Sequence, residues 1–428
     1  MTKLRPIVAL LLAAVSGCTT GLDSGDDVVD CEGGKCDSAD DKSDLAVDEL
    51  RAWLTADPAT RGALGDQPFA TLPLSREASD AAKQLLWDDH VATIRATRLP
   101  EIEQLALKHD EVELKLFLKT FGNKPANGRS LWISMHGGGA VAPEFNDQQW
   151  RNQQALYSPA EGIYVAPRAP TDTSAMWHAP HIDPLFDRLI EDLIVFADVD
   201  PNRVYLMGYS AGGDGAYQVA PRMADRYAAA AMMAGHPNNA SPVGLRNLPF
   251  TGHVGELDTA YDRNLKLVEW GHQMDALQVA DPAGYTHMTQ VHPGKSHWMD
   301  NEDAVAVPWM AGFTRDPFPK RVVWRQDEVT HGRFYWLAVD QATAKLGDQV
   351  SATIDGQQIV IESSGIAQLT IRANDQMLDL DKPVVVLTDG TQRTANPVRT
   401  IATLAKTLGE RGDPTSVFST EWTIDVKK

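Results

Sequence analysis

The chain has 428 residues, 43% of them apolar, and a formal charge of −19 at pH 7. That length and apolar content suffice for two cores, and the acidic balance argues against nucleic acid, whose phosphates call for a basic face. After the amino-terminal segment no apolar run reaches membrane-spanning length.

Residues 1–17 read as an export signal: Lys3 and Arg5 precede an apolar stretch from Ile7 to Val15 that is too short to span a bilayer, and small residues lead to Cys18. Val15-Ser16-Gly17-Cys18 resembles the lipobox of bacterial lipoproteins. That resemblance implies lipid on Cys18 and a membrane tether in the cell envelope, with plain secretion as the alternative. Residues 18–46 continue as an acidic, flexible linker with too little apolar content to pack. Within it Cys31 and Cys36, in CEGGKC, are the only other cysteines, and in an oxidising compartment a small local disulfide is expected of them. Residues 47–110 carry a helical pattern, notably Ser75 to Lys108 with Pro100 as an interruption, expected to pack on the core rather than to form a lid.

From residue 111 to 318 the pattern alternates between strand and helix. EVELKLFLK, Glu111 to Lys119, has the two-residue period of a half-exposed strand, whereas EGIYVAP, VYLMGYS and AAAAMMAG are continuous apolar runs suited to a sheet buried on both faces. Asp183–Phe196, Gly212–Arg226 and Asp262–Leu277 have helical spacing. The fold class expected is therefore α/β with a mostly parallel central sheet.

The chemistry gathers at predicted strand ends. GYSAGG places Ser210 in a GxSxG turn directly after the apolar run Val204 to Met207. Such a strand-to-helix turn lifts a serine hydroxyl clear of the sheet, although the hydroxyl becomes a nucleophile only with a base and oxyanion donors. Upstream, SLWISMHGGGA ends a buried strand in three glycines after His136, the HGGG arrangement of lipases and esterases. The backbone amides of Gly137 and Gly138, with that of Ala211, are the expected oxyanion hole. Downstream, GELD offers Asp258 and KSHWMD offers His297, with His292 as the competing base. Only histidine has an ordinary pKa that lets it take a proton and return it near neutrality, and a buried carboxylate orients it.

These motifs, MHGGGA, GYSAGGDGAY, GELD and SHW, resemble an α/β-hydrolase of the bacterial esterase type, the group of dienelactone-hydrolase-like proteins, feruloyl esterases and polyhydroxyalkanoate depolymerases. The resemblance covers about half the chain. It implies an α/β-hydrolase fold and carboxylic ester hydrolysis through an acyl-enzyme, with no cofactor and no metal, on a small-molecule or polymeric ester. A serine peptidase of the prolyl-oligopeptidase-like type is the close rival. A non-catalytic, hydrolase-shaped binding protein is the third reading. The loop Ala166 to Phe186 supplies Trp177, His178 and His181 as candidate substrate contacts, together with His136, Tyr209 and Trp298. His178 and His181 lack a third metal ligand of suitable context.

Residues 319–428 turn to short alternating runs, RVVWRQ, RFYWLAV, QVSATI, QQIVIES, AQLTIRA and VVVLTD, which read as a small all-β domain. Asp355-Gly356 reads as a two-residue hairpin turn, Asp389-Gly390 ends another run, and a helix from Ile401 to Glu410 is expected over the sheets. Trp324, Tyr335 and Trp336 suggest a carbohydrate-binding platform, but core packing against the hydrolase is the favoured account.

Overall fold

The computed structural model describes residues 39–57 and 59–426. The export signal, Cys18, Cys31 and Cys36 lie outside the described residues.

An eight-stranded sheet runs through the α/β region in the order β1-β2-β4-β3-β5-β6-β7-β8. Its strands are β1 (Ala106–His109), β2 (Val112–Phe121), β3 (Arg129–Met135), β4 (Gly162–Arg168), β5 (Val199–Tyr209), β6 (Ala229–Met233), β7 (Phe250–Gly255) and β8 (His287–His292). The two pairings made by β2, with β1 and with β4, are antiparallel, and every pairing from β4 across to β8 is parallel. This is the mostly parallel α/β sheet expected from the continuous apolar runs. Their residues are buried because helices cover both faces.

Helices α3 (Pro143–Gln153), α4 (Ile182–Ala197), α5 (Ala211–Arg222) and α6 (Arg263–Ala280) connect these strands. Every residue of α5 from Gly212 onward except Asp214 is buried. The central helix can lie against the sheet so closely because its glycines carry no Cβ. One built on Gly212 would meet the Met135 carbonyl oxygen at 2.2 Å.

Two amino-terminal helices, α1 (Ala39–Thr55) and α2 (Arg76–Gln104), depart from expectation at both ends. The linker was expected to reach residue 46, yet α1 already spans residues 39–55, and its Ala46, Val47 and Leu50 are buried against α2 and the carboxyl-terminal helix. Pro100 does not break α2, which continues to Gln104 and stops at Leu105 in the left-handed conformation. Residues 106–109, expected to be helical, form edge strand β1, because pairing with β2 satisfies their backbone groups. Helix α2 lies on α4 through Arg188–Glu101 and Arg98–Asp192 ion pairs, the latter 3.3 Å long.

The carboxyl-terminal part holds two smaller sheets. One has the order β10 (Arg333–Phe334), β11 (Leu337–Ala338), β14 (Gln368–Ala373) and β17 (Thr420–Asp425). The other runs β16 (Thr391–Ala395), β15 (Val384–Thr388), β13 (Gln358–Ser364), β12 (Gln349–Asp355) and β9 (Arg321–Arg325). The turn at Asp389-Gly390 has positive φ at both residues, 47° and 75°, as a two-residue hairpin turn requires. The turn expected at Asp355-Gly356 sits one residue later, since Asp355 pairs with Gln358 and leaves Gly356 and Gln357 as its tip.

Trp324, Tyr335 and Trp336 are all buried, so they form no stacking face for a carbohydrate. They belong to one continuous apolar cluster with Leu245, Phe250 and Tyr285 of the α/β region, so the two parts share a core. Ion pairs reinforce the junction: Arg315 meets Asp413 at 2.6 Å, Arg333 meets Asp187 at 3.1 Å, and Arg411 bonds Asp225. Helix α8 (Ile401–Arg411) packs its Ile401, Leu404 and Leu408 into the cluster formed by α1 and α2. Among the described residues no helix is long and apolar enough to cross a membrane.

Candidate active site

Three loops at the carboxyl ends of β5, β7 and β8 bring Ser210, Asp258 and His297 together. Ser210 follows β5, and its φ of 57° and ψ of −118° place it in a conformation that non-glycine residues seldom adopt. Helix α5 starts at the next residue, while the Ser210 amide donates to the Met233 carbonyl across the sheet. The turn closes only because residue 208 is glycine: a Cβ there would lie 2.0 Å from the Gly212 carbonyl oxygen.

Asp258 leaves the end of β7 and His297 the loop after β8. These loops are tied by Glu256 N to His292 O, by Leu257 N to Lys295 O and by Gly294 N to the Glu256 carboxylate. His297 Nε2 lies 3.0 Å from Ser210 Oγ, and His297 Nδ1 lies 2.7 Å from Asp258 Oδ2. Since an ionised carboxylate only accepts, Nδ1 carries the proton and Nε2 is the free base facing the serine hydroxyl. Asp258 is buried, whereas the imidazole is 42% exposed and reachable from solvent.

His292 does not compete for this role. It is buried at the end of β8, with Nε2 3.2 Å from His253 Nδ1 and its ring stacked on that of His253. Nor does Tyr209 reach outward. Its hydroxyl donates to the His297 carbonyl oxygen at 2.6 Å, so it holds the base's loop from beneath.

Gly137 lies beside the nucleophile, and a Cβ built on it would sit 3.1 Å from Ser210 Cβ. Gly138 follows at a φ of 126°, which suits only glycine. Ala211 is the first residue of α5, so its amide belongs to the unsatisfied group of donors at a helix start. Beneath the loop His136 is fully buried. Its Nε2 accepts from Ala169 N at 3.1 Å, which leaves Nδ1 to donate to the Gly137 carbonyl at 2.6 Å. Burial pushes this imidazole down to about 4, with Arg168 acting in the same direction. His136 is therefore a neutral brace of the glycine loop and not the substrate contact expected.

Trp177 is a second correction. It is wholly buried, stands edge-on to His136, and donates through Nε1 to the His136 carbonyl at 2.7 Å. His178 and His181 turn away as well. The carbonyl of His178 accepts from Arg222 at the end of α5, and burial lowers the proton affinity of both imidazoles, with Arg222 acting in the same direction on His178 and His109 on His181. The loop follows the packing of its Trp177 and draws its histidines with it. Trp298, by contrast, is 49% exposed next to His297; Leu257 and Tyr261 are exposed in the loop after β7, Val141 in the loop after β3 and Phe145 at the start of α3.

Several residues of the site carry no motif. Asn146 is buried, accepts from Gly139 N at 3.0 Å, and donates to Gly139 O at 2.9 Å and to Asp172 at 2.7 Å. Arg168 in turn clamps Asp172 at 2.6 Å and Asp147 at 2.8 Å. Although burial opposes it, the bonds from Asn146 and Arg168 hold the Asp172 carboxyl below its ordinary value. Asp214 on α5 accepts from His236 N at 2.6 Å, and burial pushes its carboxyl up to about 6.

No family model matches the chain, and no curated protein matches it. Solved structures match it over about half of its length at low identity. A thermostable esterase is 20% identical with a TM-score of 0.37, over 49% of this chain and 62% of its own. A poly(3-hydroxybutyrate) depolymerase, LpqC from Bordetella parapertussis, is 14% identical with a TM-score of 0.36, over 48% and 86%. The fluorophosphonate-binding serine hydrolase F of Staphylococcus aureus is 12% identical with a TM-score of 0.34, over 48% and 96%.

Proposed function

We propose that the chain is a serine-dependent carboxylic ester hydrolase that works through an acyl-enzyme. The observation that carries this reading is the unbroken line from Ser210 Oγ to His297 Nε2 at 3.0 Å and from His297 Nδ1 to Asp258 Oδ2 at 2.7 Å. In the first step Oγ attacks the ester carbonyl carbon while its proton passes to Nε2, and the new C–O bond makes a tetrahedral oxyanion. The amides of Ala211 and of Gly137 or Gly138 are the donors proposed for that oxygen. Collapse breaks the bond to the alcohol, which leaves with the proton from Nε2. Water then repeats the sequence on the acyl-enzyme and releases the acid. Throughout, the buried Asp258 carboxylate steadies the imidazolium that forms twice per turnover.

The exposed Trp298, Leu257 and Tyr261 beside the base and acid supply apolar surface for the organic portions of an ester. The basic, apolar and small-residue order of residues 1–18 supports export with a lipid anchor at Cys18, and hence an extracytoplasmic substrate.

One experiment addresses both parts. Cells producing the full chain are fractionated, and hydrolysis of p-nitrophenyl acetate, butyrate and octanoate is compared with that of peptide nitroanilides. The expected result is ester turnover in the membrane fraction that falls by about 10⁴ in Ser210→Ala, and that Cys18→Ser releases to the soluble fraction. Serine-dependent cleavage confined to peptides would turn the reading to a peptidase. No turnover, with no fluorophosphonate labelling of Ser210, would leave the binding-protein reading in its place.

A further inference from the structure

A fourth side chain, a cation, touches the Ser210–His297–Asp258 line. Arg263, the first residue of α6, places Nη1 3.3 Å from Asp258 Oδ1, the carboxylate oxygen that His297 leaves unused. The same nitrogen lies 3.3 Å from the Ala260 carbonyl oxygen. The guanidinium carbon sits 4.9 Å from the centre of the Tyr261 ring, so an aromatic face fixes the cation from one side. Only 14% of the Arg263 side chain is exposed, and its Nε is buried without a hydrogen-bond partner. The turn that delivers it is strained, with Tyr261 and Asp262 both at a φ of 56°. Strain of this kind persists where the surrounding structure imposes it, and it concentrates at functional sites.

Charge on the far side makes this contact consequential. The Asp214 carboxyl reaches the same neighbourhood from α5, where its charge is felt by Arg263, by His236 and by His297. Asp258, in direct contact, favours the imidazolium over the free base, and Asp214 adds to it only while ionised, above about pH 6. Of the other charges on these loops, Glu256 accepts from Gly294 N, Asp300 and Glu302 pair with Lys295, and the charge of Asp262 acts on Lys266. Arg263 is the cation in contact with Asp258.

This inference rests on the hydrolase reading above. We propose that Arg263 is a positioning residue of the triad, acting on His297 through Asp258. It fixes the carboxylate and offsets the joint charge of Asp258 and Asp214, so that the imidazole remains a free base at lower pH than the three residues alone would permit. A base that starts as imidazolium cannot take the serine proton, so the effect appears on the acid side of the rate profile.

The test is kcat/KM against pH for p-nitrophenyl acetate, with Ser210→Ala as the background and folding followed by thermal unfolding. Arg263→Gln is expected to displace the acid limb upward by about one pH unit, a tenfold gain in the imidazole's proton affinity. Arg263→Lys restores most of the displacement, and Asp214→Asn moves the limb the opposite way. If Arg263→Gln fails to fold, Arg263→Met keeps the stem on Tyr261 and tests the same charge. A variant whose plateau falls while its limb stays fixed would overturn the proposal and leave Arg263 a structural residue. Loss of Ser210-dependent turnover and labelling in the unaltered protein would overturn the hydrolase reading and this role together, whereas retained turnover with an unmoved limb would remove Arg263 alone.

Discussion

Ser210 holds a backbone conformation costing of the order of 1–3 kcal/mol, and the surrounding turn, not the serine, sustains it. The same division of labour runs through the site, where one residue faces the substrate side and another holds it from behind. Tyr209 is the clearest case, because its hydroxyl meets the carbonyl of His297 and touches none of the proposed reacting atoms. Tyr209→Phe is expected to lower kcat about tenfold at little change in KM, since a base displaced by a fraction of an ångström still permits binding. Steady-state kinetics on an activated ester separates the two parameters, and a raised KM with unchanged kcat would give Tyr209 a binding role instead. Ser210, Asp258 and His297 were legible in the sequence because the chemistry prescribes both residue type and chain order. His136, Trp177, His178 and His181 misled for a physical reason. A loop's burial follows from where it packs, and Trp177 reads the same whether it faces a pocket or, as here, fills the space beneath a glycine loop.

Elements repeat that pattern with longer reach. The parallel strands announced themselves through continuous apolar runs, and the register of β3 on β5, Met135 opposite Gly208, sets the glycine loop directly beside the serine turn. What fixes the loop itself comes from two other elements, Asn146 of α3 and Asp172 after β4, joined by Arg168. Nothing in the spacing of these residues marks them, since the contact is made in three dimensions. Asn146→Leu leaves the Gly139 amide and carbonyl without their partner and loosens the proposed oxyanion donors. Its expected cost is about 10- to 100-fold in kcat, below the loss of a donor outright. Slower fluorophosphonate labelling of Ser210 at unchanged thermal stability would report the same defect, and labelling at the original rate would detach Asn146 from the hole. Strand β1 and the uninterrupted α2 show the converse limit. Local propensity near Pro100 and Leu105 favours a helix end at the proline, but packing of α2 on α4 carries the helix through.

For the whole molecule the deciding feature is the junction between the α/β region and the small sheets. Composition suggested two cores, whereas the structure has one continuous apolar cluster across the junction, bordered by buried ion pairs. Burial opposes charge on Asp225 and Asp413, yet Arg411 and Arg315 prevail and hold each carboxyl at about 2. A carboxyl depressed in the fold stabilises it above its unfolded value and loses that contribution as pH falls through the folded value. The junction is therefore expected to keep its full strength above about pH 4 and to fail towards pH 2. Thermal unfolding across this range should show both parts melting together, with a steep fall of Tm below pH 4. Two separate transitions would contradict a shared core.

Helices α1 and α2, at residues 39–104, complete their apolar cluster with side chains at 401–417, far later in the chain. A partner so distant in sequence makes loop closure late and costly, so helices α1 and α2 wait for residues 401–417 before they can settle. Such a delay keeps the nascent polypeptide threadable. For a protein proposed to cross a membrane before it folds, the same contact that ties these distant segments together in the folded molecule acts earlier as a timer.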